Sequence, residues 1–334
     1  MVTSLRSEGE FIEFPLVYRL TQINRNRIYR ASSGDTDSGA ARAYVGEFPD
    51  IRVRPKFRFS RSENIFAIGS HIARNFEFAC HKRKTNALSL QCKVPGSLYE
   101  RSSETPGNAA LNVQTAHAVL DLMRLPERRD WSRAGAIELE DGSWADLMMS
   151  GLRHLTQDEM ETARGELIAV YQLLDRADIV FISLEGTESW FDGRDRIFVN
   201  KSPAIEVASL RSPERYSFVN IDPAEAMECI EEIIGRLQQR TKGRARIVLS
   251  VSPVPVHGTY TADDVILADR YAKATLASAA QAVAARHDHV DYYPVLEICA
   301  CGSHTAVWAQ DGVTMQRSYL NMVLEKMMSD LLLD

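Results

Sequence analysis

Ser70 follows Gly69 at the end of the apolar run Ile65-Phe66-Ala67-Ile68 and precedes His71-Ile72-Ala73-Arg74. The stretch reads as a short buried strand, a glycine, a serine and the first turn of a helix. That arrangement holds a hydroxyl at the carboxyl end of a parallel strand, where open α/β sheets place their ligands. It also sets the hydroxyl beside the free N–H groups of a helix start. A nucleophilic serine needs such surroundings: an exposed Oγ, a glycine that admits substrate, and donors for an oxyanion. The same residues have a plainer use, in which Ser70 merely caps the following helix.

The elements that must position this serine alternate along the chain. Asp178-Ile179-Val180-Phe181-Ile182-Ser183-Leu184 and Arg246-Ile247-Val248-Leu249-Ser250-Val251 are apolar runs too short for most helices and too continuous for half-exposed strands. They read as central parallel strands. Val290-Asp291-Tyr292-Tyr293 is a further strand. Between them, residues 112–125 have apolar positions at helical spacing and stop at Pro126, and residues 156–177 open on a capping box, Thr156 with Glu159. Asp222-Pro223 opens another helix with an N-cap and a first-turn proline, and residues 263–286 and 318–333 complete the set. Strands alternating with long helices predict one three-layer α/β/α sandwich around a parallel sheet of about five strands. Arg52, Arg54, Lys56 and Arg58 alternate with Val53, Phe57 and Phe59, which predicts an edge strand with a basic face, interrupted by Pro55. Residues 1–45 read as an N-terminal extension ending in the turn-rich patch Ser32–Gly39, a mobile surface loop, and residues 46–334 as the folded domain.

Composition narrows the function classes. The 334 residues are 45% hydrophobic and 25% charged, enough for a full core, and the net charge is -6. An acidic balance argues against nucleic-acid binding, which needs a basic footprint on phosphate. No run approaches the apolar length of a membrane span and no secretory signal is evident, so a cytoplasmic protein is expected. Five cysteines at irregular spacing read as reduced thiols. Cys299-x-Cys301-x-x-His304 offers three zinc ligands without a fourth, and no Walker or dinucleotide fingerprint occurs. Neither metal nor cofactor is expected. The basic positions at Arg52–Arg58 and the run His81-Lys82-Arg83-Lys84 read as solvated faces.

Several segments together resemble the GSCFA family: Gly69 to Ala73, Leu111 to Thr115, Phe181 to Trp190, and Val251-Ser252-Pro253-Val254-Pro255. Asp269 to Lys273, Val290 to Pro294 and Asp311-Gly312 extend the resemblance over roughly residues 45–330. It implies membership of the SGNH-hydrolase superfamily, with a flavodoxin-like sheet. It also implies esterase, deacetylase or O-acyltransferase chemistry on a carbohydrate or other acyl ester. The nucleophile would be Ser70, and a late Asp-x-x-His would supply the rest of a triad. The sequence departs from that pattern twice. His71 stands where the family carries cysteine, and Asp311-Gly312-Val313-Thr314 lacks the histidine. A threonine hydroxyl is no general base at neutral pH.

Three histidines offer themselves instead. His257, just after the strand ending at Val251 to Ser252, is the first choice as base, with Asp311 to orient it. His304 precedes Asp311, and His71 adjoins Ser70 but, if both were helical, would point about 100° away. Thr187 and Glu188 sit where the superfamily keeps an oxyanion or substrate-orienting residue. Gly69, Asn112 and Gln114 join them as candidates for oxyanion or substrate contacts. The alternative to an enzyme is a catalytically silent relative that binds a glycan, a nucleotide or a partner enzyme in the same pocket.

Overall fold

The computed structural model describes residues 29, 37–44, 48–100, 108–206 and 213–333. Residues 1–28 and 30–36, most of the expected N-terminal extension and of its turn-rich patch, lie outside the described residues; Gly39–Tyr44 is a short helix.

The apolar runs form the strands they predict. In chain order the strands are β1 (Asn64–Gly69), β2 (Asn86–Ala87), β3 (Ala136–Glu138), β4 (Trp144–Asp146), β5 (Ile179–Leu184), β6 (Glu188–Asp192), β7 (Ile197–Val199), β8 (Tyr216–Asn220), β9 (Arg246–Val251) and β10 (Val290–Tyr292). Five of them make one parallel sheet in the order β10-β9-β5-β1-β2. Counted along the chain, that is the 2-1-3-4-5 order of flavodoxin-like sheets, with a switch point between β1 and β5, where such folds bind ligands. Ser70 lies just beyond β1 at the carboxyl edge.

Register follows from the alternation of side chains. Gly69 pairs with Ser183 and Ser183 with Ser250, so the carboxyl end of the sheet carries a row of small residues across three strands. One face of the sheet, with Phe66, Ile68, Val180, Ile182, Ile247 and Leu249, packs on α2 (Ala116–Arg124), α3 (Gln157–Gln172), α4 (Pro223–Thr241) and α5 (Val265–Arg286). The other, with Ile65, Ala67, Phe181 and Val248, packs on α1 (His71–Lys82), α6 (Val295–Cys301) and α7 (Arg317–Leu331). The three-layer α/β/α architecture is thus observed.

Local chemistry sets the helix starts. Thr156 and Glu159 form the expected capping box of α3, Asp222 and Glu225 form another at α4, and Asp264 caps α5. Two expectations are corrected. Residues 52–58 join no strand ladder: Ile51, Val53 and Phe57 still pack inward, but Pro55 lacks an N–H, and the Lys56 N–H donates to the Asp291 side chain at 2.7 Å. The helix expected from Asn112 begins only at Ala116, because Thr115 caps it and residues 112–115 run extended beside the sheet.

Two small antiparallel sheets, β3-β4 and β7-β6-β8, are inserted around the parallel one. The first is tied to α3 by a fully buried ion pair. Arg164 donates to Asp146 Oδ1 at 2.8 Å and to the main-chain oxygen of Ala134 at 3.0 Å, both side chains being inaccessible to solvent. Removing one partner strands the other charge in the interior. Asp146→Ala should therefore lower the free energy of unfolding by about 3–5 kcal/mol, read from urea denaturation; a loss under about 1 kcal/mol would contradict the pairing.

Candidate functional site

Gly69 and Ser70 are held where two chains crowd. Gly69 has φ of +135°, and a Cβ there would overlap the main-chain oxygen of Ser183 and lie 2.9 Å from its nitrogen. Only glycine fits, and the turn it permits carries the chain from β1 straight into α1. Ser70 occupies the N-cap position in extended conformation, yet its side chain makes no capping hydrogen bond. Its Oγ is buried, the residue 4% exposed, and no described residue is its hydrogen-bond partner. The capping role that the sequence allowed is therefore not the one Ser70 has.

The extended segment 112–115 closes the gap between the β1 and β5 ends. Asn112 bridges Gly69, Thr115 bridges Gly186, and the Val113 N–H donates to the Gly69 oxygen at 3.1 Å. The N–H groups of Glu185 and Gly186 both donate to the Gln114 oxygen, at 2.9 and 3.2 Å. Asn200 fastens the segment from the other side: its Nδ2 donates to the Asn112 oxygen at 2.6 Å, and its Oδ1 accepts from the Gln114 N–H at 3.1 Å. Asn112 thus lies beside Gly69, with its Oδ1 buried and unpartnered among the described residues.

The turn after β5 is the second half of the site. Glu185 is 8% exposed, and its main-chain oxygen accepts from Lys273 Nζ at 2.8 Å. Lys273 is buried on α5, where desolvation lowers its pKa against the opposing pull of Glu185 and of Asp269, 3.9 Å away. Sequence reasoning gave neither Lys273 nor Asn200 a role. A lysine on the alanine-rich inner face of α5 was the available signal for the first; nothing local marks the second. Thr187 donates its hydroxyl to Asn220 Oδ1 at 2.7 Å, and Glu188 accepts from the Tyr260 N–H at 2.9 Å and from the Thr259 hydroxyl. Glu188 therefore braces the loop that carries His257. Glu185, Thr187, Glu188 and His257 line one cavity of about 130 Å³, together with Gln114, Asn200, Trp190 and Tyr260. Ser70 does not line it.

The remaining candidates lie apart. His257 is exposed at the cavity mouth. Asp311 is exposed and spends its carboxylate on its own turn, accepting from Val313 N–H at 3.0 Å, Thr314 N–H at 2.9 Å and the Thr314 hydroxyl at 2.6 Å. Those bonds, that from the threonine hydroxyl foremost, hold its pKa below the usual carboxylate value. No described histidine bonds to Asp311 or to Ser70. His304 is exposed in the first turn of a short helix, and His71 meets Asn75 Nδ2 at 3.1 Å through Nε2. Because Ser70 is extended, the helical angle does not relate its side chain to that of His71. Cys299 is buried and Cys301 half-buried on α6, and among the described residues no group of three or more potential ligands converges on a metal position.

A model of the GSCFA family matches residues 64–327. The chain belongs to the GSCFA family. No curated protein and no solved structure matches it. The matched span of this GSCFA chain begins at the first residue of β1 and ends within α7, so it takes in the whole parallel sheet and the row Gly69, Ser183, Ser250. Gly69→Ala should lower stability by about 2 kcal/mol or more, since the new methyl meets backbone and the φ is one that L-residues rarely adopt. A urea midpoint equal to that of the unaltered GSCFA protein would contradict this account of the turn.

Proposed function

We propose that this GSCFA protein is a serine acyl-hydrolase or O-acyltransferase of the esterase or deacetylase type, acting on a carbohydrate or glycoconjugate. The observation that carries the reading is Ser70: a buried hydroxyl at a helix N-cap that does not cap, without a partner among the described residues, at the switch point of the sheet. Leaving a buried hydroxyl unpaired is costly; the Ser183 and Ser250 hydroxyls share that state within their strands, and Ser70 is the one set at a helix start, where N–H groups can meet an oxyanion. The three-layer fold is the one that the resemblance to SGNH hydrolases implies, and it supports the reading.

In this mechanism Ser70 Oγ attacks the acyl carbon. The developing oxyanion meets the N–H groups at the start of α1 and the side chain of Asn112. The serine proton passes to a base and then to the departing alcohol, leaving an acyl-enzyme. Water or a second hydroxyl takes the acyl group by the reverse course. His257 is the candidate base. It follows β9, two strands from β1 and so roughly 10 Å across the sheet, and its loop must close on Ser70 when substrate is bound. Catalytic hydrogen bonds are often long in a free enzyme and tighten in the complex. Asp311 orients the imidazole only if it releases Thr314.

One observation favours a second reading, a catalytically silent protein that binds its ligand in the same cleft: the Asp311 carboxylate is satisfied by Thr314, and no histidine bonds to Ser70 among the described residues. Kinetics on a small acyl ester separate the two. For the enzyme, Ser70→Ala removes roughly 10³-fold of the activity at unchanged thermal stability, and His257→Ala about 10²–10⁴-fold. Equal slow hydrolysis by all three proteins, with a gain only in Thr314→His, establishes the silent reading instead.

A further inference from the structure

The cavity beside Ser70 has an acid in its wall. Glu185 lines it, is 92% buried by its 8% exposure, and its carboxylate accepts no hydrogen bond among the described residues. A carboxylate with no hydrogen bond from the protein can accept them from a ligand. Lys273 and His71 interact with the charge of Glu185, but Lys273 gives its hydrogen bond to the Glu185 main-chain oxygen and His71 meets Asn75, so neither bonds the carboxylate.

Three further properties define what would fit. The charged side chains among the lining residues are Glu185 and Glu188, with neither lysine nor arginine, so a phosphate or carboxylate ligand would be repelled. One wall is aromatic. Trp190 and Tyr260 meet edge to face at 5.1 Å, and Phe218 completes the cluster at 5.4 and 6.0 Å, while Tyr260 stays 40% exposed. Rings of this kind present an apolar face with a polar tip. The volume of about 130 Å³ has room for a ring-sized ligand, about 10–15 Å³ of such space being enough for one water.

We propose that this cavity is a subsite for a single pyranose ring, uncharged or amine-bearing, whose hydroxyl or ammonium groups donate to Glu185 while an apolar face of the ring lies on Tyr260 and Trp190. As an account of substrate choice it rests on the acyl-transfer reading; as a binding site it stands apart from Ser70, which does not line the cavity. Glu188, already holding the Thr259 and Tyr260 loop, fixes the aromatic wall.

Saturation-transfer NMR on the full chain, with D-glucosamine, methyl β-D-glucopyranoside, D-glucuronate and adenosine as probes, tests the proposal. The first two should bind and glucuronate should not. Tyr260→Ala, in an exposed loop, should weaken both about five- to tenfold, and Glu185→Gln should remove the preference for glucosamine over the glucoside. The proposal is overturned if neither sugar binds, if glucuronate binds as well as they do, if adenosine binds more tightly than both, or if Tyr260→Ala changes nothing. Should Glu185→Gln fail to fold, the glucuronate comparison on the unaltered chain and Tyr260→Ala still decide the matter. Sugar binding without Ser70-dependent ester cleavage leaves the subsite standing and removes the acyl-transfer reading. Ester cleavage through Ser70 without sugar binding does the opposite.

Discussion

At the carboxyl end of β1 the backbone passes so close to Ser183 on β5 that no side chain fits at residue 69. Most of the site depends on this crowding. With no Cβ and a φ of +135°, Gly69 lets the chain turn directly from strand to helix, which places Ser70 at the mouth of the switch point between β1 and β5. The same approach leaves the Gly69 oxygen for Val113, and through it the extended segment 112–115 is stitched to both strands. A larger residue at 69 would part β1 from β5 and dissolve the site's floor.

The site has two compartments built by different means. The serine compartment rests on backbone: a strand end, a helix start and the Asn112 segment. The adjoining cavity rests on side chains reaching across the insertions, with Lys273 on the Glu185 oxygen, Asn200 on residues 112–114, and Glu188 on the Tyr260 loop. Each of these braces is a charged or amide group taken out of water and repaid with main-chain bonds, where a hydrogen bond to a charged group is worth more than a neutral one. The resulting frame leaves the Ser70 hydroxyl and the Asn112 side-chain oxygen buried without partners among the described residues in the serine compartment, and places the Glu185 carboxylate in the wall of the other.

Much of the parallel sheet was legible because its strands are continuous apolar runs bounded by capped helices: β1, β5, β9 and β10 all lie where the sequence predicts them. The inserted sheets escaped notice although each carries a turn signal. Asp141-Gly142 lies between β3 and β4, and Asp192-Gly193 at the end of β6 leads into the turn before β7, the dipeptide favoured in hairpin turns. Their strands are only three to five residues long, too short for alternation to stand out. Residues 52–58 mislead in the opposite direction: their two-residue period is kept in what is buried, but a ladder needs a partner edge as well as a pattern. The place of Ser70 at the carboxyl edge was readable from its setting, whereas the bonds of Asn200 to Asn112 and of Lys273 to Glu185 were not, because residues 88 positions apart give no local sign that they will touch.

The central claim is that the unpaired hydroxyl of Ser70 is a reactive centre. Exposure of the full chain to a fluorophosphonate, followed by mass mapping of the modified peptide, tests it most directly, because that reagent phosphonylates serines whose hydroxyl is activated. The account predicts one adduct per chain, on Ser70, and none after denaturation. An unmodified Ser70 in the folded protein would contradict it.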